Sequence, residues 1–230
     1  MSFYKVREDV EQAGSREVVP LWEYDIEADN SQSKLSYDHF PQTEPNFSRL
    51  LITGSPTDVI TDGGAIGGSG LIVSDRLKNL LASFRLGRHR FYPLDTFEYE
   101  SEKKPLINYS WLQIISEDFY KWIDYDNSDF FLFDDFEEEI INHVNIKTPG
   151  GLLEAIDSTL ETDNSIIYKK LIFNNHYTSN PLDLFYTNGI SDNIFTYPII
   201  SERLKDALQR NSITGLELKQ VPIYLGNELT

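Results

Sequence analysis

The most conspicuous chemical feature of the sequence is an acidic run in the middle of the chain. Eight carboxylates fall within sixteen residues, with no lysine or arginine between them: Asp124, Asp126, Asp129, Asp134, Asp135, Glu137, Glu138 and Glu139. Aromatic residues are interleaved with them, including Tyr125 and Phe136. This density of negative charge favours attraction of a cationic protein partner, with Tyr125 or Trp111 as aromatic anchors. A solvated strand edge that keeps the protein soluble is the competing interpretation.

Part of this run has a spacing that calls for comparison with a calcium loop. Asp124, Asp126 and Ser128 occupy alternate positions, and Asp135 is the twelfth residue. An EF-hand loop needs glycine at its sixth position and a bidentate glutamate at its twelfth, whereas this chain has Asp129 and Asp135 there. We therefore expect no metal and no cofactor, and weak calcium binding stays a minor alternative.

No recognisable catalytic motif is present. The four histidines lie far apart without ligand spacing, no Gly-x-Ser-x-Gly elbow occurs, and the chain has no cysteine. The glycine-rich stretch at 62–70 lacks the Gly-Lys-Ser/Thr of a phosphate-binding loop. We therefore expect no enzyme. The alternative is an enzyme or small-ligand-binding protein whose pocket is lined by dispersed carboxylates and aromatic residues.

The overall charge restricts the class of partner. The chain of 230 residues carries 20 Lys and Arg against 37 Asp and Glu, so its formal net charge is −17. Such a surface repels nucleic-acid phosphates and anionic lipid headgroups, so neither nucleic acid nor membrane is an expected partner. The start of the chain has no signal-peptide pattern, and no apolar run reaches the roughly 18 residues of a membrane span. A cytoplasmic location is expected.

The clearest structural signal is a strand, a capped helix and a second strand over residues 71–94. Leu71–Val73 reads as a strand, and the Ser74 hydroxyl can cap the following helix. Asp75 places negative charge at the helix N-terminus, and the helix has one apolar face formed by Leu77, Leu80, Leu81 and Phe84.

The same unit recurs over residues 198–218, with Ser201 as the cap. Residues 71–81 and 198–208 share six identities in eleven positions, among them Ser74/Ser201 and Arg76/Arg203. We predict two equivalent elements of one pseudo-symmetric fold. For the repeated arginines we favour a polar helix face with local ion pairs. An arginine-to-carboxylate clamp between elements is the alternative.

The remaining patterns predict an α+β fold with a mixed or mostly antiparallel sheet and few helices. Residues 106–115 read as a strand buried on both faces, and residues 182–196 as a hairpin around Asn188-Gly189. Pro149-Gly150-Gly151 reads as a break before a short helix over 152–160. We expect an N-terminal β-rich segment over 1–65 and a main domain over 66–230, and whether the first is a separate domain stays open.

The repeated segments also resemble sequence motifs of a known family. Residues 71–78, Leu-Ile-Val-Ser-Asp-Arg-Leu-Lys, resemble the Ile-Val-Ser-Glu-Arg-Leu-Lys signature of a bacterial family once classed as a domain of unknown function. It is now grouped with the immunity proteins of polymorphic toxin systems as the eleventh immunity family, and the likeness extends to the forty-third. Residues 199–204 and 214–217 are similar to that family's C-terminal ending.

The resemblance covers roughly residues 50–220 and is carried by cap and core residues, with Gly87 departing from the family's Thr-Gly pair. It implies a cytosolic antidote that binds a cognate toxin domain by stoichiometric protein-protein contact and neutralises it. The negative charge adds that this toxin domain is basic, because an acidic surface can imitate the phosphates that a basic toxin binds. The predicted toxin-binding surface is therefore the acidic run.

Overall fold

Two four-stranded sheets at the centre of the protein have the same strand order. A computed structural model describes residues 1–9, 18–20, 25–52, 56–61, 66–98, 101–105, 109–193 and 196–226. The strands are β1 Phe3–Glu8, β2 Val18–Pro20, β3 Leu50–Ile52, β4 Val59–Ile60, β5 Gly70–Ser74, β6 His89–Leu94, β7 Thr96–Glu98, β8 Ser101–Pro105, β9 Tyr109–Ile114, β10 Asp129–Asp134, β11 Glu139–Val144, β12 Asn164–Phe173, β13 Leu184–Phe185, β14 Ile199–Ser201, β15 Leu216–Val221 and β16 Ile223–Leu225. The helices are α1 Asp75–Leu81, α2 Pro149–Asp157, α3 Asn175–Thr178 and α4 Glu202–Arg210, with 3₁₀ turns at Gln32–Lys34 and Phe119–Trp122.

The first sheet has the order β4-β5-β9-β6 and the second sheet β13-β14-β1-β15, and every pairing in both is antiparallel. The registers also agree. Ser74 and Leu94 both lie opposite Tyr109, while Ser201 and Val221 both lie opposite Phe3. The predicted α+β class and the two equivalent units are confirmed.

The equivalence extends into two outer sheets. The third sheet has the order β2-β3-β7-β8 and the fourth β11-β10-β12-β16. In each, the strand that follows the repeated unit pairs in parallel with an earlier strand, Thr96 with Leu50 and Ile223 with Leu171. Thr96 and Ile223 are 127 residues apart, the same interval that separates Ser74 from Ser201. The structural repeat therefore extends beyond the segments that are similar in sequence.

The first strand of each half lies in the sheet of the other half. If residues 3–98 form the N-terminal half and residues 109–225 the C-terminal half, their first strands are β1 and β9. Strand β1 runs between β14 and β15, and β9 runs between β5 and β6. Each half therefore completes the central sheet of its partner, which makes the two halves interdependent.

A shared core between the two central sheets contains equivalent residues from both halves. Leu77 and Leu81 of α1 meet Leu204 and Leu208 of α4 in one buried cluster, with Leu80 and Phe84 packed against it. The predicted apolar face of α1 is confirmed. Two further clusters fill the space between the central and outer sheets, around Phe3 and Phe173 on one side and around Ile52, Ile72 and Trp111 on the other.

Both predicted helix caps form. The backbone N–H of Leu77 donates to the Ser74 Oγ, and that of Leu204 to the Ser201 Oγ, each at 3.2 Å. All six residues of β9 are buried, and the buried strand prediction is thus confirmed for residues 109–114. Residues 106–108, like residues 62–65 of the glycine-rich stretch, lie outside the described residues.

Two local predictions were wrong. The helix α2 begins at Pro149, because proline suits the first helical position and the Thr148 Oγ1 accepts the Gly151 N–H at 3.1 Å. Among the described residues of 182–196, no strand pairing crosses Asn188-Gly189, where a hairpin was expected. Leu184 and Phe185 pair instead with Ile200 and Ile199, because β14 offers them a buried long-range partner.

Candidate functional site

The acidic run does not form one surface. Strand β10 runs through it and separates residues 124–129, which end at the first residue of the strand, from residues 134–139, at the tip of the β10–β11 hairpin. The five steps between Asp129 and Asp134 span about 17 Å at the usual rise of a strand. The separation arises because the aromatic residues between the acids form the strand, with Phe130 1% and Phe133 9% exposed.

In the first group, Asp124 is held in local structure, whereas Asp126, which pairs with Lys147 at 3.5 Å, and Asp129 are exposed. Asp124 accepts the Asp126 N–H at 3.2 Å and the Asn127 side-chain amide at 2.9 Å. The Ser128 hydroxyl donates to the Asp124 carbonyl at 2.7 Å and accepts the Ile172 N–H at 2.9 Å. These bonds fix a turn against β12. Among the described residues, no three His, Asp or Glu side chains are arranged to hold a metal ion.

Tyr125 is a core residue and not the exposed anchor that the sequence suggested. It is 8% exposed, stacks on Phe130 with ring centroids 6.1 Å apart, and donates its hydroxyl hydrogen to the Tyr120 carbonyl at 3.0 Å. Burial raises the pKa of its phenol well above the ordinary value. Trp111, the other suggested anchor, is 3% exposed.

The second group forms an exposed hairpin tip with both charge and apolar surface, which we call the acidic tip (residues 134–141). The Asp134 Oδ1 accepts the N–H groups of Phe136 and Glu137, both at 2.9 Å, and Asp135 accepts the Ser165 hydroxyl at 2.7 Å. Glu137, Glu138 and Glu139 are exposed and pair with no described cation. The tip therefore keeps three carboxylates available to a partner.

Large apolar side chains accompany these carboxylates. Phe136 is 82% exposed, and Ile140 and Ile141 of β11 are 42% and 48% exposed. Strand β11 is the terminal strand of the fourth sheet. A cluster of exposed apolar residues rimmed by charge is characteristic of a protein-binding surface.

The repeated arginines form clamps, so the favoured interpretation of a simple polar helix face was wrong. Arg76 donates to Asp58 at 3.0 Å, and Arg203 donates through Nε to Asp183 at 2.9 Å. The cap serines bind the same carboxylates, Ser74 at 2.8 Å and Ser201 at 2.7 Å. The Asp58 and Asp183 side chains are only 8% and 4% exposed.

Each clamped carboxylate also binds the opposite half. Asp58 accepts the Thr214 N–H at 3.1 Å, from the segment after α4, and Asp183 accepts the Arg85 N–H at 2.9 Å, from the segment after α1. Asp58 and Asp183 lie outside the repeated segments 71–81 and 198–208, and the sequence-based prediction missed them. A signal was present, because an aspartate followed by two apolar residues precedes Ser74 by 16 positions and Ser201 by 18.

A cavity of about 370 Å³ lies where the two equivalent strands β5 and β14 begin. Gly70 and Leu71 line it from one half, and their equivalents Tyr197 and Pro198 line it from the other. Its other described lining residues are Glu8, Tyr37, Ile60, Ile66, Gly68, Ser69, Ile72, Trp111, Tyr186 and Thr196. We call this space the axial cavity. These residues come from both halves of the chain and from strands and loops alike, so only the tertiary fold brings them together.

Some polar and aromatic side chains in the wall of the axial cavity contact one another. The rings of Tyr37 and Tyr186 stack with centroids 6.1 Å apart, and the Tyr186 hydroxyl is 2.8 Å from the Thr196 hydroxyl. Burial raises the pKa of Tyr186 to about 12, so its phenol stays protonated at neutral pH. Glu8 supplies the only carboxylate among the described lining residues.

No family model matches the chain, and no curated protein matches it. None of the described helices has the length and apolar character required to cross a membrane.

Proposed function

We propose that this protein is a cytosolic immunity protein that neutralises a cognate, basic toxin domain by stoichiometric contact through the acidic tip. The observation that carries the proposal is the exposure of Phe136, at 82%, among the free carboxylates of Glu137, Glu138 and Glu139. A partner that covers the phenyl ring gains apolar burial, and its lysine and arginine side chains pair with the surrounding acids.

The net charge of −17 supports the same partner class. A negative field steers a cationic protein toward the surface and raises its association rate, while it repels nucleic acid. The resemblance of residues 71–78 and 199–204 to an immunity family supports the biological role. Those residues build caps and clamps, which leaves the binding surface free to vary with the toxin.

The axial cavity supports an acid–base enzyme less well. General acid–base catalysis by carboxylates commonly uses two of them facing one substrate, as in glycoside hydrolysis. The described wall of the cavity contributes Glu8 alone. We therefore place inhibition by protein contact ahead of catalysis.

The direct test is binding to the C-terminal domain of the large secreted protein encoded immediately upstream. We expect the two proteins to co-purify at 1:1 stoichiometry and the toxin activity to disappear. Raising NaCl from about 0.05 M to about 0.5 M should weaken binding at least about tenfold, because salt screens exposed charges. Absence of such a domain, or of its inhibition, contradicts the immunity role.

Charge reversal separates local contact from overall charge. The triple variant Glu137→Lys, Glu138→Lys, Glu139→Lys should lose about 100-fold or more in affinity. The control variant Glu27→Lys, Asp29→Lys, Glu44→Lys makes the same change in net charge at exposed positions elsewhere. It should lose less than about tenfold, through slower association. Equal losses in the two variants would contradict a binding site at the acidic tip.

A further inference from the structure

A second cavity, which we call the interhalf groove, lies between the segment that follows α1 and the C-terminal half. Its volume is about 530 Å³, within the roughly 300–1,000 Å³ that small-molecule sites occupy. Its lining includes Leu86, Gly87 and Arg88 from the N-terminal half and Glu117, Trp122 and Leu182 from the C-terminal half. Arg88 is exposed, and the other five apart from Gly87 are partly exposed, so a ligand can reach their side chains.

Two opposite charges in the interhalf groove do not pair with each other. Within the described part of the chain, the Arg88 guanidinium donates only to the Ser116 carbonyl, at 3.4 Å, and has no carboxylate partner. The Glu117 carboxylate accepts only the backbone N–H of Arg88, through Oε1. An arginine and a carboxylate that line one space without pairing can each bind the opposite charge of a ligand.

The position of the Glu117 carboxylate depends on Gly87. A Cβ atom added to Gly87 would lie 2.8 Å from Glu117 Oε1 and 3.2 Å from the Leu184 carbonyl oxygen. The equivalent residue of the second repeat is Thr214, because the two units are 127 residues apart. Glycine therefore lets the carboxylate lie against the backbone of residues 87–88, which leaves its second oxygen free for a ligand.

The apolar surface of the groove is an aromatic ring held by the core. Trp122 packs edge-to-face against Phe173, Tyr177 and Phe185, with ring centroids 6.0, 5.2 and 5.5 Å apart, yet it stays partly exposed. The two leucines of the groove extend this apolar surface. Because core contacts already fix the indole, an apolar group that covers it is buried at little cost in side-chain ordering.

We propose that the interhalf groove binds a small zwitterion with an apolar side chain, an amino acid or a dipeptide. Arg88 pairs with its carboxylate, Glu117 pairs with its ammonium group, and Trp122 contacts its side chain. A simple anion or a simple cation would meet one like charge in the groove, which favours the zwitterion over both. The site shares no residue with the acidic tip and is independent of the proposed function.

Titration calorimetry with matched probes tests the proposal on the full-length protein. L-phenylalanine and glycyl-L-phenylalanine each carry both charges and a phenyl ring, and at least one of them should bind with a dissociation constant below about 10 mM. Hydrocinnamate, which lacks the ammonium group, phenethylamine, which lacks the carboxylate, and glycine, which lacks the ring, should each bind at least about tenfold more weakly. Failure of both zwitterions to bind, or equal binding of any of these three compounds, overturns the proposal.

Two variants assign the charged contacts. Arg88→Gln should weaken the bound zwitterion at least about tenfold without weakening phenethylamine. Glu117→Gln should weaken the zwitterion without weakening hydrocinnamate, and its amide oxygen can still accept the Arg88 N–H. The charge-matched controls Arg210→Gln and Glu154→Gln, at exposed positions outside the groove, should change the affinity less than about twofold, because salt screens distant charges. Equal losses in the controls, or no loss in either groove variant, contradict the assignment, and the probe series on the wild-type protein decides if a variant fails to fold.

Discussion

At the scale of the residue, the most informative groups are the two clamped aspartates. The fully assembled clamp at Asp183 combines the Arg203 guanidinium, the Ser201 hydroxyl and the Arg85 N–H. Burial alone would raise the pKa of this carboxyl, but the hydrogen bonds from Arg203, Arg85 and Ser201 outweigh it and hold the pKa below the ordinary value. The charged form is therefore the one that the fold stabilises.

Removal of the arginine should expose the energetic role of this clamp. Arg203→Ala should lower the free energy of unfolding by about 1–3 kcal/mol, because a buried carboxylate loses two donors. The Coulombic part is small, since the Arg203 side chain is 59% exposed and screened by solvent. Arg210→Ala on the same helix, an exposed position, is the control and should cost less than about 1 kcal/mol. Urea unfolding measures both, and equal losses would argue against the clamp.

The same clamp predicts a pH dependence. Because the folded-state pKa of Asp183 is lowered, its contribution is complete above the unfolded-state pKa of about 3.9 and is lost as the pH falls through the folded-state value. The stability difference between wild type and Asp183→Asn should therefore be constant between pH 5 and 7, about one to three units above that pKa, and shrink below about pH 4. A difference that is independent of pH would show that the charge of Asp183 is not what the clamp stabilises.

At the scale of the element, helix α2 shows how a local signal can be misread. Pro-Gly-Gly is typical of a break, yet here the proline occupies the first helical position and Thr148 caps the helix. The acidic tip is a second case. Counting charges along the chain treats residues 124–139 as one surface, but a strand lies in the middle of the run and places its two ends about 17 Å apart.

The helical assignment of Gly150 predicts a stabilising substitution. A Cβ atom added to Gly150 meets nothing within 4 Å, so Gly150→Ala should raise the free energy of unfolding by about 0.5 kcal/mol. Gly151→Ala should gain less, because its Cβ would approach the capping Thr148 Oγ1 to 3.3 Å. Thermal melts of the two variants test this. A loss of stability in Gly150→Ala would contradict the helical assignment of residues 149–151.

At the scale of the whole molecule, the exchange of first strands between the two halves should make their folding interdependent. Strand β1 is a central strand of the second sheet, and its side chains enter two cores, Phe3 at 0% and Val6 at 2% exposure. Neither half can complete its central sheet from its own residues. Folding should therefore be cooperative across both halves.

Removal of the first strand tests this interdependence. A chain without residues 1–9 should lose its cooperative thermal transition, because β14 and β15 lose their common partner. A peptide of residues 1–9 added in trans should restore the transition, whereas the same peptide with Phe3→Ala and Val6→Ala should not. Circular dichroism during heating measures all three. An unchanged melting temperature in the shortened chain would contradict the role of β1.

Features that depend on neighbouring residues could be predicted from the sequence. The caps at Ser74 and Ser201, the apolar face of α1 and the burial of residues 109–114 are all set within a few positions, where hydroxyl geometry and periodicity act directly. The repetition of the helix units could be found for the same reason, because the similar residues lie within eleven consecutive positions.

The pairing of the strands, the acids that bind Arg76 and Arg203, and the position of the axial cavity all depend on contacts between distant parts of the chain. Asp58 and Asp183 bind groups up to 156 residues away, and Glu8 and Trp111 share a wall through two different sheets. Such contacts form because burying the two halves against each other lowers the free energy of the whole chain. The similar spacing of Asp58 and Asp183 before the cap serines marks them as equivalent, but it does not indicate which groups of the opposite half they bind.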